Sequence, residues 1–360
     1  MNSDTIQETE SLQRICAPLL AWYESDCREL EWRRNPLPYY VWISEIMLQQ
    51  TRVEAVKPYF ARFVQELPDV HALAECDDDR LMKLWEGLGY YSRARNLKKA
   101  AQLIRKEHGG KLPADAGALK KLPGIGSYTA GAIASIAFGL PESAVDGNVL
   151  RVISRICASK ACIDDPKVKA ALEDGIRGFL RRETDTVPPG KFNQALMELG
   201  ALVCLPNGAP ACGKCPVRDL CEARKENLTG VIPVRRRKKE RRIEHRTVLV
   251  IHDSSRLLIR RRPRKGLLAG LWELPNYDGI LSQSEALREA EALGVSPLRI
   301  RPLPDAKHIF THVEWEMTGF LILAEEMDGA ECPAVETSRI EAEYSIPGAF
   351  SGYAAYKNTF

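Results

Sequence analysis

The sequence predicts a two-domain chain: an all-α domain over residues 1–228, a basic linker at 229–242 and an α+β domain over 243–360. Three observations lead there. A length of 360 residues exceeds what one hydrophobic core usually serves. Through the first two-thirds, apolar residues recur at helical spacing with no alternating strand pattern between them. After about Asn227 strand-like runs take over, with a single helical stretch among them. The composition, 45% hydrophobic and 28% charged, is globular and excludes disordered, collagenous and coiled-coil chains. No stretch approaches the roughly 18 apolar residues that span a bilayer. The polar, acidic start, Met1 to Arg14, is unlike a signal or transit peptide, so a cytoplasmic protein is expected.

The elements follow in order. Leu12 to Tyr23 carries apolar residues at helical spacing, and Pro38 suits the first turn of a helix over Tyr39 to Thr51. Val53 to Phe63, Asp79 to Leu84 and Asn96 to His108 continue the pattern. Val149, Val152, Ile153 and Ile156 mark another helix by their i, i+3, i+4, i+7 spacing, and Phe192 to Val203 is one more. Between Arg224 and Arg242 nine Lys and Arg face only Glu226 and Glu240, which reads as contact with a polyanion or as a solvated linker. Strands are expected at Thr247 to Ile251, Arg256 to Ile259 and Trp315 to Leu323, with a helix at Ser284 to Leu293.

Four constellations bear on chemistry. Leu122-Pro123-Gly124-Ile125-Gly126 joins two helical stretches. Its glycines let the turn close tightly beside a helix N-terminus, the form of a helix-hairpin-helix that holds a phosphate, or of a plain interhelical turn. Asp146 precedes a helix, which fits an N-cap. Glu45 stands among Ile43, Ile46 and Met47, so it is either on a solvated face or desolvated with a raised pKa that suits a general acid near neutral pH. Two carboxylates of unequal pKa suit cleavage of a glycosidic bond. Cys204, Cys212, Cys215 and Cys221, spaced x7, x2 and x5, supply four thiolates for zinc or for an iron–sulfur cluster. Lys214 and Arg218 fall inside the loops between them. The other six cysteines are scattered, and a cytoplasmic chain of this length has no need of disulfides.

Ser44-Glu45-Ile46-Met47-Leu48-Gln49-Gln50-Thr51 resembles the catalytic-helix signature of MutY-type adenine DNA glycosylases. So do Gly87 to Leu97, the glycine hairpin, Asp146-Gly147-Asn148-Val149 and Phe192-Asn193-Gln194, with the cysteines following in the family's order. The likeness runs over about residues 20 to 225. More loosely, Gly266 to Glu273 and Phe310-Thr311-His312 resemble the family's Nudix-like domain.

The resemblance implies an all-α helix-hairpin-helix glycosylase domain with one 4Fe-4S cluster on Cys204, Cys212, Cys215 and Cys221, followed by an α+β Nudix-like domain. It implies a monomer that acts on double-stranded DNA and removes adenine mispaired with 8-oxoguanine or guanine. Glu45 would protonate the departing adenine, and Asp146 would stabilise the sugar cation or bond to it transiently, with Asn148 orienting that group. Leu30, Trp32, Arg33 and Gln194 match pocket positions. Gln49, Gln50 and Thr51 belong to the DNA-facing end of the catalytic signature, Gln50 filling the gap in the duplex and Tyr90 wedging beside 8-oxoguanine. Gly124 and Gly126 would hold phosphate, and Phe310, Thr311 and His312 would read the oxidised base.

The chain departs from the family pattern in three places. The first cysteine interval is one residue longer, within a loop that Pro206 and Gly208 can absorb. Thr311 stands in place of serine and adds a methyl group. After Gly279 no Nudix metal-binding run assembles: Arg288-Glu289 is present, but Leu293 and Gly294 stand where acidic ligands would continue. Rival readings are a bifunctional glycosylase–lyase, a non-catalytic DNA-binding or redox-sensing iron–sulfur protein, and a Nudix hydrolase. Lyase relatives carry a nucleophilic lysine at the position of Tyr128, and a phenol cannot form an imine.

Overall fold

The computed structural model describes residues 3–236, 240–253 and 255–356, with the side chains of residues 3–9 left aside. Residues 237–239 of the expected basic linker therefore lie outside the described residues, as do 1, 2, 254 and 357–360. By packing, the chain divides into two compact units. One comprises Met1–Glu75 and Asn96–Arg237, the other Cys76–Arg95 and Lys238–Phe360. Among the described residues, no helix is long and apolar enough to cross a membrane.

The first unit is helical. One core gathers Leu12, Ile15 and Leu19 from Ser3–Asp26, Val149 and Ile153 from Gly147–Ile156, Ile176 and Phe179 from Pro166–Arg182, and Phe192, Leu196 and Leu199 from Pro189–Leu202. The rings of Phe179 and Phe192 meet at 5.2 Å. Helices Pro38–Leu48 and Val53–Glu66 bury Trp42, Phe60 and Phe63 completely. Pro38 occupies the first turn of its helix, where its missing N–H costs nothing. That helix ends at Leu48, short of the expected Thr51: Gln49 turns to an extended ψ of 114° and Gln50 follows in a left-handed φ of 60°. Sequence periodicity did not single out Pro166–Arg182, whose start is set by a proline after the capping Asp165.

Two glycines allow the close approaches that shape this unit. A Cβ on Gly131, in helix Ser127–Phe138, would lie 1.8 Å from the Ser143 carbonyl oxygen. One on Gly200 would lie 2.5 Å from Asn148 Cβ. Helix Pro189–Leu202 thus lies directly against the Asp146–Asn148 turn.

The second unit is built on a sheet of β1 (Arg242–His252), β2 (Arg256–Leu258), β5 (Asn276–Asp278), β6 (Pro297–Ile309), β7 (Val313–Ala324) and β8 (Ala334–Glu336). The order is β6-β7-β1-β2-β8, with β5 also pairing β1, while β3 (Arg260–Arg261) and β4 (Trp272–Glu273) form a separate ribbon. β1 and β7 run parallel, Thr247 opposite Thr318 and Val250 opposite Leu321. Both faces of β1 are covered. Val248 and Val250 face a cluster with Trp315, Leu321, Phe350 and Tyr353, and Leu249 and Ile251 face one with Ala286, Ala290 and Ile322. Burial on both sides explains a continuous apolar run where a half-exposed strand would alternate. The helix Gln283–Ala292 starts with a capping box of Ser282 and Glu285, and Leu293 after it lies in the core.

Candidate active site

A cavity of about 450 Å³ opens in the first unit. Into it the fold brings Leu30, Trp32, Arg33, Glu45, Gln49, Gln50, Thr51, Tyr128, Asp146, Asn148 and Gln194, positions scattered over nearly half the chain. Leu30 and Trp32 are buried, and Trp32 packs edge-on to Phe60 at 5.0 Å, which fixes this wall. Gln49 Nε2 donates to Thr129 Oγ1 at 3.4 Å.

Glu45 is 6% exposed. The Tyr128 hydroxyl donates to Glu45 Oε2 at 2.5 Å and also contacts Met197 Sδ at 3.3 Å. Burial pushes the Glu45 carboxyl up to about 7, with the Asp146 charge adding to the rise, while the Tyr128 hydrogen bond and Arg33 pull against it. A carboxyl tuned there is protonated in part at neutral pH and can deliver a proton inside an apolar wall. Burial likewise raises the Tyr128 phenol well above its ordinary value.

Asp146 caps helix Gly147–Ile156. Its Oδ1 accepts from the backbone N–H of Asn148 at 2.9 Å and of Val149 at 2.8 Å, and its Oδ2 accepts from Asn148 Nδ2 at 2.7 Å. The capping reading therefore holds for this side chain. Burial raises the Asp146 carboxyl, against the hydrogen bonds from Val149 and Asn148 that favour its charge. Asn148 Oδ1 in turn accepts from Arg151 Nη2 at 2.7 Å, so the orienting amide is itself held.

Cys204, Cys212, Cys215 and Cys221 line one small hollow, together with Arg155, Arg218 and Arg224. Burial pushes the Cys215 thiol up to about 11, and the other three cysteines add to that rise by mutual repulsion. A cation shared by four thiolates relieves that repulsion, so this soft donor set fits iron or zinc. Arg155 Nη1 approaches Cys204 Sγ at 3.3 Å and donates to the Leu205 carbonyl at 2.9 Å, tying the loop to the helix capped by Asp146. In the side-chain positions as they stand, no group of three or more His, Cys, Asp or Glu among the described residues is arranged to hold a metal ion.

Residues 43–177 match the HhH-GPD superfamily of base excision DNA repair proteins, and residues 246–354 match the NUDIX domain. The chain is 34% identical to the mouse adenine DNA glycosylase, covering 88% of this chain and 72% of that one. It is 33% identical to the adenine DNA glycosylase of Buchnera aphidicola subsp. Baizongia pistaciae, covering 82% of each. The chain belongs to the adenine DNA glycosylase family. With the human adenine DNA glycosylase it shares 36% identity over 82% of its own length and spans 64% of that protein. Among solved structures, a thermostable thymine-DNA glycosylase matches with a TM-score of 0.54 at 26% identity, over 60% of this chain and 98% of that one. Endonuclease III in a non-covalent DNA complex matches with a TM-score of 0.51 at 24% identity, over 61% of this chain and 98% of that one, a likeness of fold.

Within this DNA N-glycosylase family, the remaining candidate residues stand apart from the cavity lining. Gly124, with φ of 78°, and Gly126 lie at the exposed turn before helix Ser127–Phe138. A Cβ on Gly124 would meet Asn96 Cβ at 2.8 Å, so the turn needs glycine for conformation and for space. In the second unit, Phe310, Thr311 and His312 form the turn from β6 to β7. Phe310 packs on Trp315 at 4.9 Å, while Thr311 and His312 are exposed. Tyr90, half exposed and in a left-handed conformation, shares a hydrogen bond with Thr311 Oγ1 at 2.8 Å.

Sequence reasoning missed Arg28, Lys169, Met197 and Glu198 on the cavity wall. The signal for two of them was present. Gln194, Met197, Glu198 and Ala201 follow the i, i+3, i+4, i+7 rule, so one candidate on that helix face implied its neighbours.

Proposed function

We propose that this chain is a monofunctional adenine DNA glycosylase of base excision repair, acting as a monomer on double-stranded DNA. Its substrate is adenine mispaired with 8-oxoguanine, and also with guanine. The observation that carries the reading is the meeting of Glu45, Tyr128 and Asp146 in one buried cavity, with Glu45 tuned to about 7.

Adenine leaves poorly as an anion. The flipped base enters between Leu30, Trp32 and Gln194, at a flipping cost of a few kcal/mol that phosphate contacts and the inserted Gln50 offset. Glu45 gives its proton to the departing base, and Tyr128 holds the carboxyl in place. As the glycosidic bond lengthens, Asp146 faces the positive charge developing on the sugar. The adenine carries away the Glu45 proton, and a water supplies hydroxide to the sugar and returns a proton to the enzyme. Tyr128 provides no amine for an imine, so the product strand stays intact. Cys204, Cys212, Cys215 and Cys221 would hold a 4Fe-4S cluster, which would cross-link their loop and carry Lys214 and Arg218 toward phosphate. Tyr90 with Phe310, Thr311 and His312 would read 8-oxoguanine, and the C-terminal domain, lacking the metal-binding run, would recognise without hydrolysing.

The test is a duplex with a single A:8-oxoguanine pair. Adenine is expected to be released and the strand to remain whole until alkali is added. No adenine release, or strand cleavage accompanied by high-yield borohydride trapping of a Schiff base, would overturn the reading.

A further inference from the structure

Glu198 has no part in the chemistry just described, yet it is more deeply buried than either carboxylate that does. Its side chain is 1% exposed. It sits on helix Pro189–Leu202 and takes four hydrogen bonds from a segment about 170 residues away in sequence. Its Oε1 accepts from Arg28 N at 3.0 Å and Arg28 Nε at 2.8 Å. Its Oε2 accepts from Arg28 Nη2 at 2.7 Å and Arg33 Nη2 at 2.8 Å. Arg33 also donates through Nη1 to the Arg28 carbonyl at 3.2 Å, and its guanidinium lies 5.6 Å from the centre of the Tyr23 ring.

Two partly buried guanidiniums, Arg28 with 26% and Arg33 with 15% of the side chain exposed, share one carboxylate, so the cluster carries a net positive charge. Arg28, Arg33 and Glu198 all line the cavity that holds Glu45. Arg33 favours the ionised form of Glu45, against the burial that raises it. An acid that must keep its proton near neutral pH is poorly served by an unshielded cation across the cavity. A carboxylate placed behind that cation reduces its field.

We propose that Glu198 is a positioning residue: it pins Arg28 and Arg33 as one wall of the cavity and offsets the charge that Arg33 presents to Glu45. The inference rests on the function proposed above. Glu45 is otherwise faced by Tyr128 from helix Ser127–Phe138 and by Asp146 from the turn ahead of Gly147–Ile156, and Lys169 lines the same cavity from Pro166–Arg182. Glu198 is faced by Arg28 and Arg33 and, from the first helix, is sensed by Tyr23. Two arginines hold Glu198 down at about 2, so it stays charged across the range in which Glu45 titrates.

The experiment is single-turnover adenine release from an A:8-oxoguanine duplex at saturating enzyme, as a function of pH. Release should fall as pH rises through the Glu45 transition. In Glu198→Gln the unshielded Arg33 favours the carboxylate, so the alkaline limb should move down by about one pH unit. Glu198→Asp, which keeps the charge, should retain a limb near the wild type's. In Glu198→Gln/Arg33→Gln the limb should return upward, because the cation is gone. A carboxylate that merely satisfied its arginines would cost stability and leave the limb in place. An unmoved limb in Glu198→Gln therefore overturns the proposal. Should that variant fold poorly, Arg33→Gln alone must raise the limb, and an unmoved limb there overturns it equally. Thermal unfolding of the two single variants and the double reads the pairing apart from activity, and additive losses would refute it. Wild-type protein that releases no adenine, while this unfolding cycle still shows coupling, would count against the proposed function and not against the clamp.

Discussion

Glu45 is held in a form that water would not favour, and stability should register that as clearly as activity does. A carboxyl whose folded pKa stands at about 7, above its unfolded value, contributes stability that is complete below the unfolded value. That contribution is lost as pH rises toward the folded value, because the buried group must then ionise. Glu45→Gln keeps the volume and has no charge to bury. It should lose roughly 10²–10⁴-fold in adenine release. Above neutral pH it should also be more stable than the wild type, by about 2–3 kcal/mol, with the difference vanishing near about pH 4. Denaturant titrations at about pH 5 and about pH 9 check the sign, and a variant no more stable at the higher pH contradicts the burial argument. Asp146→Asn tests the other carboxylate. Asn caps a helix as well as Asp, so the variant should melt near the wild type and release almost no adenine. Normal release would return Asp146 to a purely capping role. Glu45 stands out in the sequence as a charge within an apolar helical run, but the run alone allows a solvated face as well as the buried position it takes. Asp146 was ambiguous because its spacing fits a cap and the cap is real, and Glu198 stayed hidden because its arginine partners lie far away along the chain.

At the scale of elements, two features show what periodicity conveys and what it cannot. Helices whose apolar residues fall on one stripe, such as Gly147–Ile156, are readable from spacing alone, although this one is buried all round from Val149 to Ile156, with Arg151, Ser154 and Arg155 among its buried residues. Strand β6 is not readable that way. Pro302 and Pro304 and a run of charged residues argue against a strand, and its pairing is irregular between Leu303 and Ala306. It forms because it lies at the sheet edge, where a missing N–H is tolerated, and its long partner β7 templates it. The contact between Gly200 and the Asp146–Asn148 turn was equally invisible, being a matter of tertiary distance. It yields a prediction for the helix as a whole. Gly200→Ala adds a methyl group where Asn148 Cβ already stands, so either the helix or the turn must shift. Overpacking of this kind should cost about 1–3 kcal/mol, and the displaced cap should reduce adenine release more than the melting temperature implies. Differential scanning calorimetry set beside single-turnover rates separates the two effects, and unchanged rates would mean that the turn yields without consequence. Cys215→Ser tests the cysteine loop. It should abolish the visible absorbance expected of an iron–sulfur holoprotein or prevent folding, and a colourless, fully active wild-type protein carrying zinc would refute the cluster reading.

For the whole molecule, the discontinuity of the second unit matters most. Cys76–Arg95 precedes much of the first unit in sequence yet packs within the second. There the Ile346 N–H donates to Glu86 Oε1 at 2.9 Å, Arg95 Nη1 donates to the Ala269 carbonyl at 2.8 Å, and Tyr90 meets Thr311. Sequence reading placed a boundary by composition, and composition cannot report that Cys76–Arg95 groups with the C-terminal stretch. A fragment ending near Thr229 keeps Glu45, Asp146, the glycine hairpin and the four clustered cysteines. It strips Cys76–Arg95 of these partners. Hydrogen exchange should therefore quicken over residues 76–95 while helices Gly147–Ile156 and Pro189–Leu202 stay protected. The fragment should still release adenine, but it should discriminate poorly between 8-oxoguanine and guanine opposite the target. In the intact protein, Thr311→Val removes the hydroxyl that Tyr90 meets and nearly preserves the volume. A buried or base-contacting polar group left unpaired costs about 1–3 kcal/mol, so Thr311→Val and His312→Ala should each reduce the preference for 8-oxoguanine by roughly 5- to 100-fold while leaving single-turnover chemistry on A:G nearly unchanged. If the fragment and both point variants keep full preference for the oxidised base, recognition belongs to the catalytic cavity, and the pairing of Tyr90 with Thr311 serves only to hold its loop.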